Sequence, residues 1–198
     1  MPLASMSLRD YLAESAGVLQ LSTAAVSQET MEGAVDAVVD ALTAGKPLLV
    51  CGNGGSASDA MHITGELVGR FLEERRALKA ICLSSNPAVI TAWSNDYGYD
   101  SVFARQVEAY GERGAVLLGI STSGNAKNVI AAFAQAHTMG MSTIALTGEG
   151  GGKLAPLADY LLAAPSRSTP LIQQVHLCLY HYFCREIERR MMAPTPEF

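Results

Sequence analysis

His62 and Glu66 stand four residues apart just behind a glycine-rich turn, and Gln173 and His181 stand eight apart near the other end of the chain. An i, i+4 pair lies on one face of a helix, one turn apart. Residues eight apart lie about two turns along, offset by roughly 80° around the axis. If the two helices meet, an imidazole, a carboxylate, an amide and a second imidazole converge beside a phosphate-type loop. Such a set can bind a divalent metal and can also move protons. A His/Glu pair at this spacing is common on solvated helix faces. The glycine-rich turn gives this one a functional reading.

That turn is Gly52-Asn53-Gly54-Gly55-Ser56. Its glycines permit positive φ and close approach of the backbone to a ligand. A helix behind it supplies unpaired N–H groups and a partial positive charge. It is neither a Walker loop, which needs Gly-Lys-Ser/Thr, nor GxGxxG, because Ala57 occupies the last glycine position. A plain strand-to-helix turn is the alternative. Ser121-Thr122-Ser123-Gly124 is a second cradle, able to hold a phosphate with hydroxyls and amides; helix capping is its alternative. Two such turns favour a phosphate or polyol site more than either alone. Asn95-Asp96-Tyr97-Gly98 reads as a turn, with Asn95 and Asp96 available to sugar hydroxyls. His137 falls on a polar helix end and reads as solvated. His176, three residues from Gln173, either joins the cluster or is a packed, bridging histidine. Arg70, Arg75 and Arg76 read as a solvated helix end and linker.

The elements that must position these groups alternate. Two amphipathic helices open the chain, over Ser7–Val26 and from Glu29 to just before Gly45. Short apolar runs at Pro47–Cys51, Lys79–Leu83, Ala115–Ile120, Ser142–Thr147 and Tyr160–Ala164 read as buried parallel strands. Helices follow over Ala57–Phe71, around Trp93, over Ala126–Met139 and over Pro170–Met191. This alternation predicts an α/β fold with a parallel sheet covered on both faces. The polar turns all follow strands, so they gather at the carboxyl edge of the sheet, where open α/β sheets bind ligands. The leading helical pair either caps the sheet or meets a neighbouring subunit. Met191–Phe198 reads as a frayed tail.

Bulk properties narrow the classes. The chain has 198 residues, 49% hydrophobic and 17% charged, which suits one globular domain. A net charge of −5 and no basic stripe argue against nucleic acid. Backbone amides still allow a small phosphorylated ligand. The four cysteines form no CxxC pair; Cys51 and Cys82 lie in strand-like runs and read as reduced core residues. No apolar stretch approaches 18 residues, and Met1–Asp10 lacks the apolar core of a signal peptide. A cytoplasmic protein without membrane partners is expected.

The motifs Cys51–Ser56, Asp59-Ala60-Met61-His62, Glu66–Phe71, Ser94–Gly98, Ser121–Asn125 and Thr169–Gln173, with His181 following, resemble those of the sugar-isomerase (SIS) domain family. The resemblance covers nearly the whole chain. It implies a flavodoxin-like three-layer αβα sandwich over 1–198, a homotetramer in which the helices over 7–45 take part in assembly, and one zinc per subunit, or another divalent metal. The implied metal ligands are His62, Glu66, Gln173 and His181, and the implied acid/base pair is Glu66 and His181. Implied substrate contacts are Asn53, Gly54, Gly55, Ser56, Glu66, Asn95, Asp96, Ser121, Thr122, Ser123 and Gln173. The implied reaction converts sedoheptulose 7-phosphate to D-glycero-D-manno-heptose 7-phosphate through an enediol, feeding nucleotide-activated heptose for surface polysaccharides such as lipopolysaccharide. Two positions depart from the family pattern: Ala126 stands where a phosphate-contacting serine is usual, and Gln174 where a glutamate is usual. The alternatives are an isomerase of another phosphosugar, a non-catalytic phosphosugar-binding protein, or a member of the silent branch that binds the replication initiator.

Overall fold

A computed structural model describes residues 5–192; of the expected frayed tail, Met191 and Met192 instead belong to the last helix, and 193–198 lie outside the described residues. Helix α1 (Leu8–Ala25) opens at Ser7, whose hydroxyl accepts from Asp10 N, and α2 (Gln28–Thr43) opens at Ser27, whose hydroxyl accepts from Thr30 N. Each bond satisfies one of the orphan amides of a helical first turn. The remaining elements are β1 (Leu48–Gly52), α3 (Gly55–Val68), β2 (Ala80–Cys82), α4 (Pro87–Tyr97), α5 (Val102–Tyr110), β3 (Val116–Ser121), α6 (Lys127–Thr138), β4 (Ser142–Thr147), β5 (Tyr160–Ala163) and α7 (Thr169–Met192). Short 3₁₀ segments at Tyr99–Ser101 and Gly152–Leu157 complete the elements among the described residues.

The five strands are all parallel, in the order β2-β1-β3-β4-β5. This is the flavodoxin-like doubly wound order, with its switch point between β1 and β3. Alternate side chains of each strand enter opposite layers. Leu48 and Val50 of β1 join α2, α3 and α7 in one core, while Leu49 and Cys51 join α5 and α6 in the other. The expected three-layer sandwich is therefore present. Cys51 is buried, Cys82 is half-buried, and all four cysteines are free thiols. Among the described residues no helix is long and apolar enough to cross a membrane.

The leading helices divide their roles. Helix α2 caps the sheet, burying Met31, Ala34, Val35, Val38, Ala41 and Leu42. Helix α1 buries only Ser15 and Ser22 and leaves Leu8, Leu12 and Leu21 exposed.

Three local expectations change. Helix α3 ends at Val68 rather than running on to Phe71. The Asn95–Tyr97 stretch is the last turn of α4, not a turn outside a helix, and the chain reverses only at Gly98, with φ of 89°. Arg75 is not solvated. Its side chain is 4% exposed, beside a Glu188 side chain that is 3% exposed, at 3.2 Å. It also donates to the Glu66 and Gly69 carbonyls. Glu188 accepts from the amides of Phe71, Leu72 and Glu73 at 2.8–3.1 Å. Those amides follow the end of α3, so one α7 carboxylate and one arginine together hold the departing chain.

Candidate active site

The turns after β1 and β3 meet at the switch point. Asn53 and Ser56 from the first, with Ser121, Thr122, Ser123 and Ala126 from the second, line one hollow of about 210 Å³. Gly54 is the N-cap of α3 with φ of 55°, a conformation open to glycine, and no side chain caps the helix there. Ser56 N and Ala57 N donate to the Asn53 and Gly54 carbonyls at 3.0 Å, which leaves the Gly55 amide and the positive end of the helix to favour an anion. Ser121 is buried, and its hydroxyl accepts from Ala126 N at 3.4 Å. Ser123 Oγ accepts from Asn125 N at 3.2 Å. Both serines thus brace their own turn while lining the hollow. Ala126 is the N-cap of α6 and makes no side-chain bond.

Asn53 is fixed from two sides. It exchanges two amide bonds of 2.9 Å with the buried Asn128 of α6. The Tyr99 hydroxyl donates to its Oδ1 at 2.7 Å. Sequence reading missed both partners. Asn128 lies two residues beyond Ala126 in a helix opening, where an asparagine looks like an ordinary capping residue; only the tertiary fold brings it to Asn53. Asn95 and Asp96 are exposed and bond each other at 2.9 Å. Among the described residues no hydrogen bond joins them to the hollow.

A second group forms where α3 meets α7. Donor atoms of His62, Glu66 and His181 all lie within 4.8 Å of one another. His62 Nε2 is 3.0 Å from Glu66 Oε1 and 3.5 Å from His181 Nε2. Phe71 walls His181 at a ring separation of 5.7 Å. Gln173 is half-buried and its amide presses on Gly55: a Cβ there would stand 2.3 Å from Nε2. Glycine at 55 is therefore what admits Gln173 to the N-terminus of α3. No hydrogen bond joins Gln173 to the histidines. Two imidazole nitrogens and a carboxylate oxygen form a mixed donor set that fits zinc and also other divalent cations, while the Gln173 amide lies against Gly55.

Behind His62 stands a pair unforeseen in the sequence. The buried Tyr180 hydroxyl lies 3.0 Å from His62 Nδ1. Burial raises the pKa of this phenol, with the Asp59 carboxyl the next cause, so it remains protonated. Asp59 is also raised by burial, against the pull of His62 and the Tyr180 hydroxyl. Asp59 shares a helix face with His62 at i, i+3, a spacing legible in the sequence.

Other candidates fall elsewhere. His176 does not join the cluster. It is fully buried and donates from Nε2 to the Thr147 carbonyl at 2.9 Å, and burial lowers its pKa to about 4. It is the packed, bridging histidine of the two readings. His137 is exposed. Gln174 turns away to α1, donating to the Tyr11 hydroxyl at 3.2 Å.

Residues 10–148 match the model of the SIS domain. A phosphoheptose isomerase of Helicobacter pylori strain P12 is 50% identical over 162 residues, covering 82% of this chain and 84% of that protein. A phosphoheptose isomerase structure from Neisseria gonorrhoeae is 40% identical with a TM-score of 0.86, covering 92% of this chain and 97% of that one. One from Francisella tularensis is 37% identical with a TM-score of 0.88, covering 92% and 96%. The matched residues 10–148 include both strand-end turns, His62 and Glu66, and the chain belongs to the SIS domain family, within its phosphoheptose isomerase group.

Proposed function

We propose that this chain is an aldose–ketose isomerase converting sedoheptulose 7-phosphate to D-glycero-D-manno-heptose 7-phosphate. Relatives bearing the name phosphoheptose isomerase, at half identity, support the substrate. The observation that carries the reading is the His62–Glu66–His181 cluster. A module that only binds phosphosugars needs the two turns but not a carboxylate and an imidazole held together. His62 stands seven residues along α3 from Gly55, about 10 Å by the helical rise. That spacing suits a sugar whose phosphate and reacting carbonyl lie at opposite ends.

The chemistry follows from the groups. Glu66 takes a proton from C1 of the ketose, and the released electron pair forms the C1–C2 double bond of an enediol. His181 gives a proton to the C2 oxygen as its carbonyl bond opens. Loss of the O1 proton then forms the aldehyde, and C2 takes up a proton. No electrons enter or leave overall. Acid/base help of this kind is typically worth ~10²–10⁴-fold. The proposed resident metal is one zinc per chain, held by His62, Glu66, Gln173 and His181. When bound it polarises the substrate oxygens and stabilises their developing charge. The phosphate would sit in the hollow of Asn53, Ser56, Ser121, Thr122 and Ser123, with Gly54 and Gly55 supplying amides. Asn95 and Asp96 would reach sugar hydroxyls from the end of α4. A homotetrameric, cytoplasmic enzyme supplying heptose for surface polysaccharides completes the proposal.

The test is turnover of sedoheptulose 7-phosphate in D₂O, with products resolved by NMR. Wild type should give the aldose with deuterium at C2. Glu66→Gln should lose at least ~10²-fold in turnover at matched metal content. Full activity of Glu66→Gln with normal metal would move the base elsewhere. Binding of the sugar phosphate without turnover by wild type would leave a binding protein instead.

A further inference from the structure

Asn128 is buried and stands outside the lining of the hollow, and its amide meets that of Asn53 edge to edge. Fixed donors determine which way round the pair sits. The Val129 backbone N–H belongs to the first turn of α6, where it has no acceptor within the helix, and it donates to Asn128 Oδ1 at 3.0 Å. A backbone donor cannot be turned round, so the atom facing it must be an oxygen. That sets Asn128 Nδ2 against Asn53 Oδ1, and Asn53 Nδ2 against Asn128 Oδ1, both at 2.9 Å. The Tyr99 hydroxyl gives Asn53 Oδ1 a second hydrogen at 2.7 Å.

A side-chain amide has two lone pairs and two hydrogens to offer. Asn53 has both lone pairs occupied and one hydrogen spent on Asn128. Among the described residues its other Nδ2 hydrogen has no acceptor. That hydrogen lies off the edge shared with Asn128, on a residue that lines the hollow. Among the described residues the lining contains no lysine or arginine, so an anion there depends on neutral donors. The orientation of such a donor is decisive, because the same amide turned over would offer the anion an oxygen. Turning it over would also set oxygen against oxygen and nitrogen against nitrogen across the pair.

We propose that Asn128, aided by Tyr99, is a positioning residue that locks the Asn53 amide so that its free Nδ2–H serves an anionic oxygen in the hollow. The lock stands on the hydrogen bonds alone; that the anion is the phosphate of a sugar rests on the function proposed above. A donor already held in its bound orientation loses less freedom when the ligand arrives.

The test uses the full chain and sulfate, a dianion that does not titrate near neutral pH. In ¹H–¹⁵N spectra of wild type, the Asn53 side-chain signals are assigned by their loss in Asn53→Asp. Sulfate should move one Nδ2 proton and leave its partner, the one bonded to Asn128, nearly in place. Asn128→Ala should abolish this one-sided response and raise the sulfate Kd about tenfold, as for one lost hydrogen bond to a charged group. Asn128→Asp separates a lock from mere packing. Protonated, its carboxyl accepts with one oxygen and donates with the other, as the amide does; ionised, it sets an acceptor against Asn53 Oδ1. Burial raises the pKa of such a carboxyl. Its sulfate Kd, taken relative to wild type at each pH, should return toward the wild-type value as pH falls. With sedoheptulose 7-phosphate, Asn128→Ala should raise KM more than it lowers kcat. Sulfate that moves both protons alike or neither, Asn128→Ala that binds it as wild type does, or a pH-independent ratio for Asn128→Asp overturns the lock. Wild type that shows the one-sided response without turning over the sugar phosphate sinks the isomerase reading and leaves the lock standing. Should Asn128→Ala fail to fold, the wild-type response and the Asn128→Asp ratio decide it.

Discussion

At the scale of single residues, Ala126 is the most informative side chain in the hollow, because its methyl group stands among four hydroxyl side chains and the Asn53 amide, with Ile120 the other apolar lining residue. It is also the uncapped N-cap of α6. Ala126→Ser should therefore do two things. A serine cap should raise stability by about 0.5–2 kcal/mol. A hydroxyl bonded to phosphate should lower KM on the order of tenfold, from a hydrogen bond to a charged group worth about 1.5–3 kcal/mol, less what water already supplies. Thermal unfolding reads the first and steady-state kinetics the second. Stabilisation without a change in KM would mean that the substrate phosphate does not reach this cap. Gln174 is a different departure. Its amide serves Tyr11 of α1, so the missing negative charge bears on helix docking rather than on the histidines. The types and spacing of His62, Glu66 and His181 were legible because two helical faces carry them. Tyr180 was not legible as a partner of His62, because only the packing of α7 on α3 brings a tyrosine over an imidazole 118 residues away.

At the scale of elements, strands and the turns that follow them were legible, while helix ends and the Asn95–Tyr97 turn were not. A parallel strand buried on both faces must read as an unbroken apolar run, as Leu48–Cys51 and Val116–Ile120 do. The nine-residue α5 announces itself weakly: it has no side-chain cap, and its buried set includes Gln106. Helix α3 stops early because Glu188, far along the chain, takes the next amides. No local signal announces a cap from another helix. Burial pushes the Glu188 carboxyl up, but three amides and Arg75 outweigh it, so its pKa falls below the ordinary glutamate value. A depressed carboxyl contributes stability that is complete above its unfolded pKa and is lost as pH falls through the folded one. Glu188→Ala should cost about 3–5 kcal/mol at pH 7, since it strands Arg75 in the interior. Urea unfolding should show that cost shrinking as pH falls below the ordinary glutamate range. An equal deficit at pH 7 and at pH 3 would refute the clamp as an ionised one.

At the scale of the whole molecule, the sheet and α2 enclose their own apolar surface, and α1 does not. Leu8, Leu12 and Leu21 are 57–74% exposed along this one helix. Exposed apolar residues gathered on one element mark association surfaces. The proposed tetramer gives them a partner in a symmetry-related copy. Leu12→Lys with Leu21→Lys should shift light-scattering mass toward smaller species while leaving far-ultraviolet dichroism unchanged. An unchanged mass would remove α1 from the assembly contacts.

The strand order has a further consequence during synthesis. Strand β1 pairs on one side with β2, which follows it, and on the other with β3, which comes only after α4 and α5. At ribosomal speeds of about 5–20 residues per second, that second edge waits on the order of ten seconds for its neighbour. Through that interval the strand bearing the glycine turn offers an apolar, unpaired rim to any nascent neighbour. The central place in the sheet that later shields the turn is reached only by crossing the most exposed moment of the chain's production.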